Sequence, residues 1–139
     1  MIQVEKISKT YVRGENAAVE ALKQTTFEIA PGEFVSVRGA SGSGKSTLLN
    51  ILGCLDQPSS GAYWLDGADV SRHSDKQLSR IRNAKIGFIF QSFNLLSRTT
   101  ALENVEIPMV YGDGLVERRR ALSVLERVGL GARASHFPN

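Results

Sequence analysis

Ile2, Val4, Ile7 and Tyr11 stand among polar neighbours, and this alternation predicts an early strand over residues 2–13. A second β-like run, Thr25-Thr26-Phe27-Glu28-Ile29-Ala30, meets a third, Phe34-Val35-Ser36-Val37, through Pro31-Gly32. Pro-Gly is a strong turn signal, so the pattern predicts that these two runs pair as a hairpin. The third run leads through Arg38 into a Gly/Ser-rich stretch, after which Thr47-Leu48-Leu49-Asn50-Ile51-Leu52 has helical character. Residues 56–61 are loop-like by composition. Ala62-Tyr63-Trp64-Leu65 then runs into Asp66-Gly67, the dipeptide of a tight two-residue hairpin turn.

Farther on, Ser74 with Gln77 forms a capping box, and Leu78 with Ile81 marks the inner face of a short helix. Ile86-Gly87-Phe88-Ile89-Phe90 is apolar throughout, the pattern of a strand covered on both faces, and ends at Gln91. Residues 92–98 are a mixed loop. Thr100 with Glu103 predicts a second capping box, and Pro108 should stop or bend the segment after it. From Leu115 to Val128, positions 121, 124, 125 and 128 share one helical face, with Gly129 suited to the C-terminal cap. A polar tail, residues 131–139, closes the chain.

The stretch between the third run and the first helix carries the chemistry. Gly39-Ala40-Ser41-Gly42-Ser43-Gly44-Lys45-Ser46-Thr47 fits Gly, four residues, Gly-Lys-Ser, with a strand-like run before it and a helix-like run after it. Glycines let successive N–H groups turn inward on one anion, and the positive end of the following helix faces the same point. Lys45 adds a full charge on a long stem that can reach β- and γ-phosphates, and the Ser46 hydroxyl is placed to hold Mg²⁺. An ordinary Gly/Ser turn has no need of Lys-Ser directly after its last Gly. The pattern therefore predicts a nucleotide phosphate site at residues 39–47.

Composition narrows the setting. With 139 residues, 42% of them hydrophobic, the chain is about one ordinary domain. Its formal charge of +3 includes the cluster Arg118-Arg119-Arg120, read here as the solvated face of an amphipathic helix rather than a surface for nucleic acid or acidic lipid. Cys54 is the only cysteine, consistent with a small buried thiol in a reducing compartment. No run approaches the ~18 apolar residues of a membrane span, and the N-terminus lacks a signal peptide's pattern, so a cytoplasmic location is expected. His73 and His136 are isolated, with no second ligand at metal-like spacing.

Tyr11, the loop at 39–47 and the unit Gly87-Phe88-Ile89-Phe90-Gln91-Ser92-Phe93-Asn94-Leu95-Leu96 together resemble the ATP-binding subunit of an ABC transporter. The wording around Ile51-Leu52-Gly53-Cys54-Leu55-Asp56 and Thr100-Ala101-Leu102-Glu103-Asn104-Val105 is similar to the bacterial subgroup serving macrolide and lipoprotein export. The resemblance spans residues 1–139. It implies an α/β P-loop NTPase fold with an N-terminal antiparallel β subdomain and the start of an α-helical subdomain. Residues 1–91 would be the ATP-binding core, and 92–139 the beginning of the helical part.

The same resemblance implies ATP and Mg²⁺ as ligands, with residues Gly39 to Thr47 holding phosphate and Ser46 and Gln91 serving the metal. Lys45 and Gln91 would serve catalysis. Tyr11 would stack on adenine; on residue type alone the reading favoured is a strand aromatic packed on the core, and the resemblance reverses that order. Gln91 alone could be a capping glutamine. Phe93, Leu95 and Leu96 would meet the coupling helix of a membrane subunit, or else pack onto the helical lobe. The implied partners are a second nucleotide-binding subunit and a transmembrane permease, with no nucleic acid, at the inner face of the plasma membrane.

In that family, Phe137-Pro138-Asn139 precedes a Leu-Ser-Gly-Gly-Gln signature, an Asp-Glu strand end and a later His. These 139 residues contain no Gly-Gly-Gln and no Asp-Glu dipeptide. The expectation is a domain cut before the signature, low in stability or prone to associate, and unable to hydrolyse ATP alone. Two further readings are weighed: a non-catalytic nucleotide-binding module, and a small P-loop kinase. The kinase fits poorly, because residues 1–38 precede the loop here.

Overall fold

A computed structural model describes residues 1–14, 17–111 and 115–138. The chain divides into two compact units, Met1–Ser79 and Arg80–Asn139. Asn139, the last residue of the expected tail, lies outside the described residues.

The first unit is built on a four-stranded antiparallel sheet of order β2-β1-β3-β4, from β1 (Ile2–Arg13), β2 (Ala17–Ile29), β3 (Ser60–Leu65) and β4 (Ala68–Asp69). The expected early strand is β1. It pairs with β2 in the register Ile2↔Ile29 and Val4↔Phe27, and with β3 through Val4↔Tyr63. Leu65↔Ala68 closes the tight turn at Asp66-Gly67, whose φ values are 51° and 80°. Buried Val4, Ile7, Leu22, Ile51, Cys54, Tyr63, Leu65 and Val70 form the unit's apolar interior. Helix α1 (Lys45–Leu52) is fastened at its C-terminal end by the Tyr63 hydroxyl, which donates to the Leu52 carbonyl at 2.8 Å. Burial pushes that hydroxyl's pKa well above the ordinary tyrosine value, with the charges of Cys54 and Asp66 adding to the shift.

Two expected strands are corrected. Residues 34–37 form no strand, and β2 pairs with β1 rather than with them; Phe34 is 97% exposed. Residues 86–90 likewise form no strand. Phe88 stacks on Phe90, ring centroids 5.4 Å apart, while Ile89 is 103% exposed. The physical reason is common to both. An apolar run becomes a covered strand only when a neighbour takes up its N–H and C=O groups, and among the described residues no strand lies beside either run.

Helix α2 (Asp75–Lys85) follows Ser74, whose N–H and hydroxyl both donate to Gln77 Oε1. Leu78 is buried and Ile81 half-buried, as the periodicity predicts. In the second unit, α3 (Ala101–Val110) and α4 (Arg118–Arg127) meet at buried Leu102, Ala121 and Leu125. Thr100 and Glu103 make the reciprocal capping box. The remaining first-turn amides are taken by the tail: Ala101 N–H donates to the His136 carbonyl and Leu102 N–H to that of Ala134. The polar tail is thus a cap, bent by a 3-10 turn at Gly131–Arg133.

Three details depart from the sequence pattern. Helix α3 runs on past Pro108 to Val110; a proline this near the C-terminal end removes only one late hydrogen bond. Helix α4 begins at Arg118 rather than near Leu115. Its buried stripe is 121 and 125 with half-buried Leu122, leaving Val124 and Val128 exposed, because α3 meets it over a narrow face. Past its end, Gly129 N–H donates to the Glu126 carbonyl and Leu130 N–H to that of Leu125, the paired bonds of a Schellman cap. Arg118 leans toward Glu106 at 3.9 Å, and Arg119 and Arg120 are exposed, the solvated basic face expected. Among the described residues no helix is long and apolar enough to cross a membrane.

Among the described residues, the carboxyl groups of Asp56, Asp69 and Glu103 are held below their ordinary values, and each makes stability fall in acid. For Asp69 the cause is hydrogen bonding from the Ser71 hydroxyl and N–H; for Glu103 it is the Thr100 N–H and hydroxyl. At Asp56 partial burial pushes upward, but hydrogen bonds from Lys9, Tyr11 and the Gln57 N–H outweigh it. Depressed carboxyls bind protons more tightly when unfolded, so their contribution is complete above the ordinary values of 3.8 for Asp and 4.5 for Glu and is lost as pH falls through the folded values. Denaturant midpoints should hold steady down to about pH 5 and fall progressively below about pH 4.5. A midpoint that rose on acidification would contradict this.

Candidate functional site

The phosphate-loop pattern folds into a bend that ends at the first turn of α1. Gly44 is the N-cap, in the left-handed region at φ 90° and ψ 5°, with no side chain capping the helix. Leu48 N–H donates to the Gly44 carbonyl at 2.8 Å and starts the helical ladder. The amides of Lys45, Ser46 and Thr47 precede the first intrahelical bond and give this helix end its positive character.

These residues open on a cleft of about 270 Å³ lined by Gly42, Gly44, Lys45, Ser46 and Thr47 on one side and by Val19, Glu20 and Ala21 of β2 on the other. Lys45 Nζ donates to the Gly39 carbonyl at 2.9 Å and to that of Ala40 at 2.6 Å, which holds the ammonium against the entering arm of the loop. The Ser43 N–H donates to the Ala40 carbonyl at 3.3 Å and closes the bend. Ser46 is exposed. The result is an uncapped helix end, a cation and a hydroxyl converging on one small concavity, the arrangement that accepts a polyanion.

Gly44 cannot be replaced in place. A Cβ there would lie 2.5 Å from the Ala21 carbonyl oxygen, on top of a positive φ. Gly44→Ala is expected to lower stability by about 1–3 kcal/mol and to weaken anion binding as β2 and the loop move apart. Denaturant unfolding checks it; a variant as stable as the parent would mean the loop is built otherwise.

Tyr11 belongs to the same unit. It pairs with Val19 across β1 and β2, one of the residues lining the cleft, and it is 38% exposed. Its hydroxyl donates to Asp56 Oδ2 at 2.6 Å. That hydrogen bond, then burial and the Asp56 charge, raise the hydroxyl's pKa, against an opposing hydrogen bond with the Thr47 side chain. Asp56 Oδ1 accepts from Lys9 Nζ at 2.5 Å, and the ammonium lies 4.9 Å from the Tyr11 ring centroid. The sequence pattern does not point to Lys9 or Asp56. Lys9 shares a strand face with Tyr11, but nothing in the spacing announces Asp56, 45 residues away.

Gln91 lies in the second unit, on an exposed bend after residues 86–90. Beyond it Phe93 is 91% exposed, while the loop backbone is tied by Asn104, whose Oδ1 accepts from Leu96 N–H at 2.9 Å and whose Nδ2 donates to Thr99 Oγ1 at 2.7 Å. Leu95 and Leu96 are exposed as well, at 51% and 55%.

An antiparallel β unit carrying a glycine-built anion loop at a helix start, followed by helices, defines a P-loop nucleotide-binding protein. Residues 22–138 match the family model for ABC transporters, and the chain belongs to that family. It is 54% identical to an uncharacterised ABC transporter ATP-binding protein of Thermotoga maritima, covering 100% of this chain and 60% of that protein. It is 50% identical to the macrolide export ATP-binding/permease protein MacB of Brucella abortus, over 100% of this chain and 22% of the relative. Among solved structures it superposes with a TM-score of 0.87 on a dimeric ATP-binding cassette in a post-hydrolysis state bound to ADP and phosphate, at 44% identity, covering 100% of this chain and 62% of the other. The chain thus spans about three fifths of the length of the Thermotoga maritima relative and of the solved cassette. The fold is that of the ABC-type nucleotide-binding domain in part, and the kinase reading falls.

Proposed function

We propose that this chain is the nucleotide-binding portion of an export-type ABC transporter ATPase, taking MgATP at residues Gly39, Ala40, Ser41, Gly42, Ser43, Gly44, Lys45, Ser46 and Thr47. The observation that carries the reading is the left-handed, uncapped start of α1 beside Lys45, facing the 270 Å³ cleft. Backbone amides and the Lys45 ammonium bind and orient the triphosphate, and they stabilise charge that gathers on its oxygens. The exposed Ser46 hydroxyl suits Mg²⁺, an ion that accepts few protein oxygens and shares the rest with phosphate and water. When bound, the metal supplies charge neutralisation at the β- and γ-oxygens. Tyr11, beside the cleft through Val19, presents its ring to the adenine. Gln91, following an apolar run, supplies an amide oxygen to the metal or the attacking water.

The partners proposed are a second nucleotide-binding subunit, in keeping with the dimeric cassettes among the solved relatives, and a membrane permease, in keeping with the combined ATP-binding/permease relatives. Phe93, Leu95 and Leu96, apolar and exposed on a tethered loop, are the surface offered to that permease. The protein would then work at the inner face of the plasma membrane, exporting a macrolide-, lipoprotein- or peptide-like cargo.

These residues bring a phosphate loop and one metal hydroxyl, but no Asp-Glu pair to complete the metal site and activate water. The chain alone is expected to bind ATP without turning it over. Phosphate release measured on the chain alone, and mixed with a complete subunit of the same family, tests this. Turnover by the chain alone that vanished in Lys45→Ala would overturn the prediction of inactivity while upholding the site.

A further inference from the structure

Tyr11 is held by more than its strand. Its hydroxyl donates to Asp56 Oδ2, Asp56 Oδ1 accepts from Lys9 Nζ, and the Lys9 ammonium sits over the Tyr11 ring, so the three side chains close a circuit. Lys9 Nζ is fixed a second time by the Gln57 carbonyl at 2.7 Å. The Lys9 and Asp56 side chains retain 13% and 26% of their exposure, which marks a partly desolvated ion pair rather than a loose surface contact.

The circuit also reaches the phosphate loop. Asp56 lies four residues past the end of α1 and is tied back to it, because the N–H groups of Leu55 and Asp56 both donate to the Asn50 carbonyl, and α1 begins at Lys45. Alongside it, Thr10 N–H donates to Ser59 Oγ and Ser59 N–H to the Ser8 carbonyl, clamping this end of β1 to the loop after α1. An unpinned, part-exposed tyrosine ring would spend its rotamer freedom on binding, whereas a pinned one would not.

We infer that Asp56 and Lys9 are positioning residues for base recognition: Asp56 pins the Tyr11 hydroxyl, Lys9 backs one ring face, and the opposite face is held ready for the purine of a nucleoside triphosphate. This rests on the reading of Tyr11 given above and goes beyond it, because it makes nucleobase preference depend on two residues that touch neither base nor phosphate. Lys9 further polarises the ring, since a cation on one face and a π-system on the other act through the same electrons.

The test is the ratio of affinities for ATP and for inorganic triphosphate, measured by calorimetry. Stacking sets this ratio at about ten- to hundredfold in the parent protein. Tyr11→Ala should bring it close to one. Tyr11→Phe, which keeps the ring and both charges, and Asp56→Ala should each lower it about three- to tenfold while leaving triphosphate affinity within about twofold. In a Tyr11→Ala background, Asp56→Ala should lower it no further.

A parent ratio of ten or more that neither Tyr11→Phe nor Asp56→Ala changes would overturn the inference and leave the adenine reading standing. Equal losses for both ligands in Asp56→Ala would also overturn it, showing a general role in holding α1. A parent that binds triphosphate without preferring ATP removes the base site and the inference together. Should Asp56→Ala fail to fold, Tyr11→Phe alone decides.

Discussion

Lys45→Ala should weaken ATP binding by about ten- to hundredfold, the loss of a charge-assisted hydrogen bond of about 1.5–3 kcal/mol. The magnitude reflects the side chain's place in the structure. Lys45 leaves the first residue of α1, folds back along the loop and donates to the Gly39 and Ala40 carbonyls. The ammonium is already held at the loop that would receive a triphosphate, so little ordering is needed when the ligand arrives. Its removal deletes the strongest positive charge at the cleft and unties the loop's two arms. The fold should persist, because Lys45 belongs to no part of the buried interior. Calorimetric titration with ATP separates these effects from unfolding; an affinity within about twofold of the parent would mean that the phosphates bind elsewhere.

Tyr63→Ala should lower stability by about 3–5 kcal/mol, the range for emptying a buried aromatic site. Tyr63 is 1% exposed, pairs with Val4 across β1 and β3, and joins the sheet to α1 through its hydroxyl on Leu52. Its own N–H donates to the buried Ser71 Oγ at 2.6 Å, and its carbonyl accepts from Val70 N–H at 2.9 Å. Few side chains in the first unit are both so large and so enclosed. A chain that also leaves Phe34 and Ile89 in solvent has little stability to spare, so the variant is expected to be largely unfolded at ambient temperature. Tyr63→Phe should lose only about 1 kcal/mol. Denaturant midpoints compare the two; a Tyr63→Ala midpoint matching that of Tyr63→Phe would mean the cavity closes or was never well packed.

The features legible in the sequence are those that neighbours along the chain decide. The loop at 39–47, the Asp66-Gly67 turn, the Thr100–Glu103 capping box, the Gln77 side chain's half of the Ser74 box and the cap at Gly129 each need only a few adjacent residues. Partner choice was not legible. Residues 17–24, Ala-Ala-Val-Glu-Ala-Leu-Lys-Gln, carry helix formers, yet they are strand because β1 lies beside them. Residues 34–37 and 86–90 have strand composition and no neighbour to pair with among the described residues. The tail's carbonyls cap α3 from more than thirty residues away, which no local pattern encodes. At the site, the loop was legible and the Lys9–Asp56–Tyr11 circuit was not, for the same reason: one is contiguous and the other is assembled by folding.

Amide chemical shifts recorded while inorganic triphosphate is added give the sharpest test of the anion loop itself. The resonances of Gly42, Gly44, Lys45, Ser46 and Thr47 should move together and saturate, and the same addition to Lys45→Ala should need about ten- to hundredfold more ligand. If those five amides stay fixed at saturation while others shift, the uncapped start of α1 does not hold phosphate.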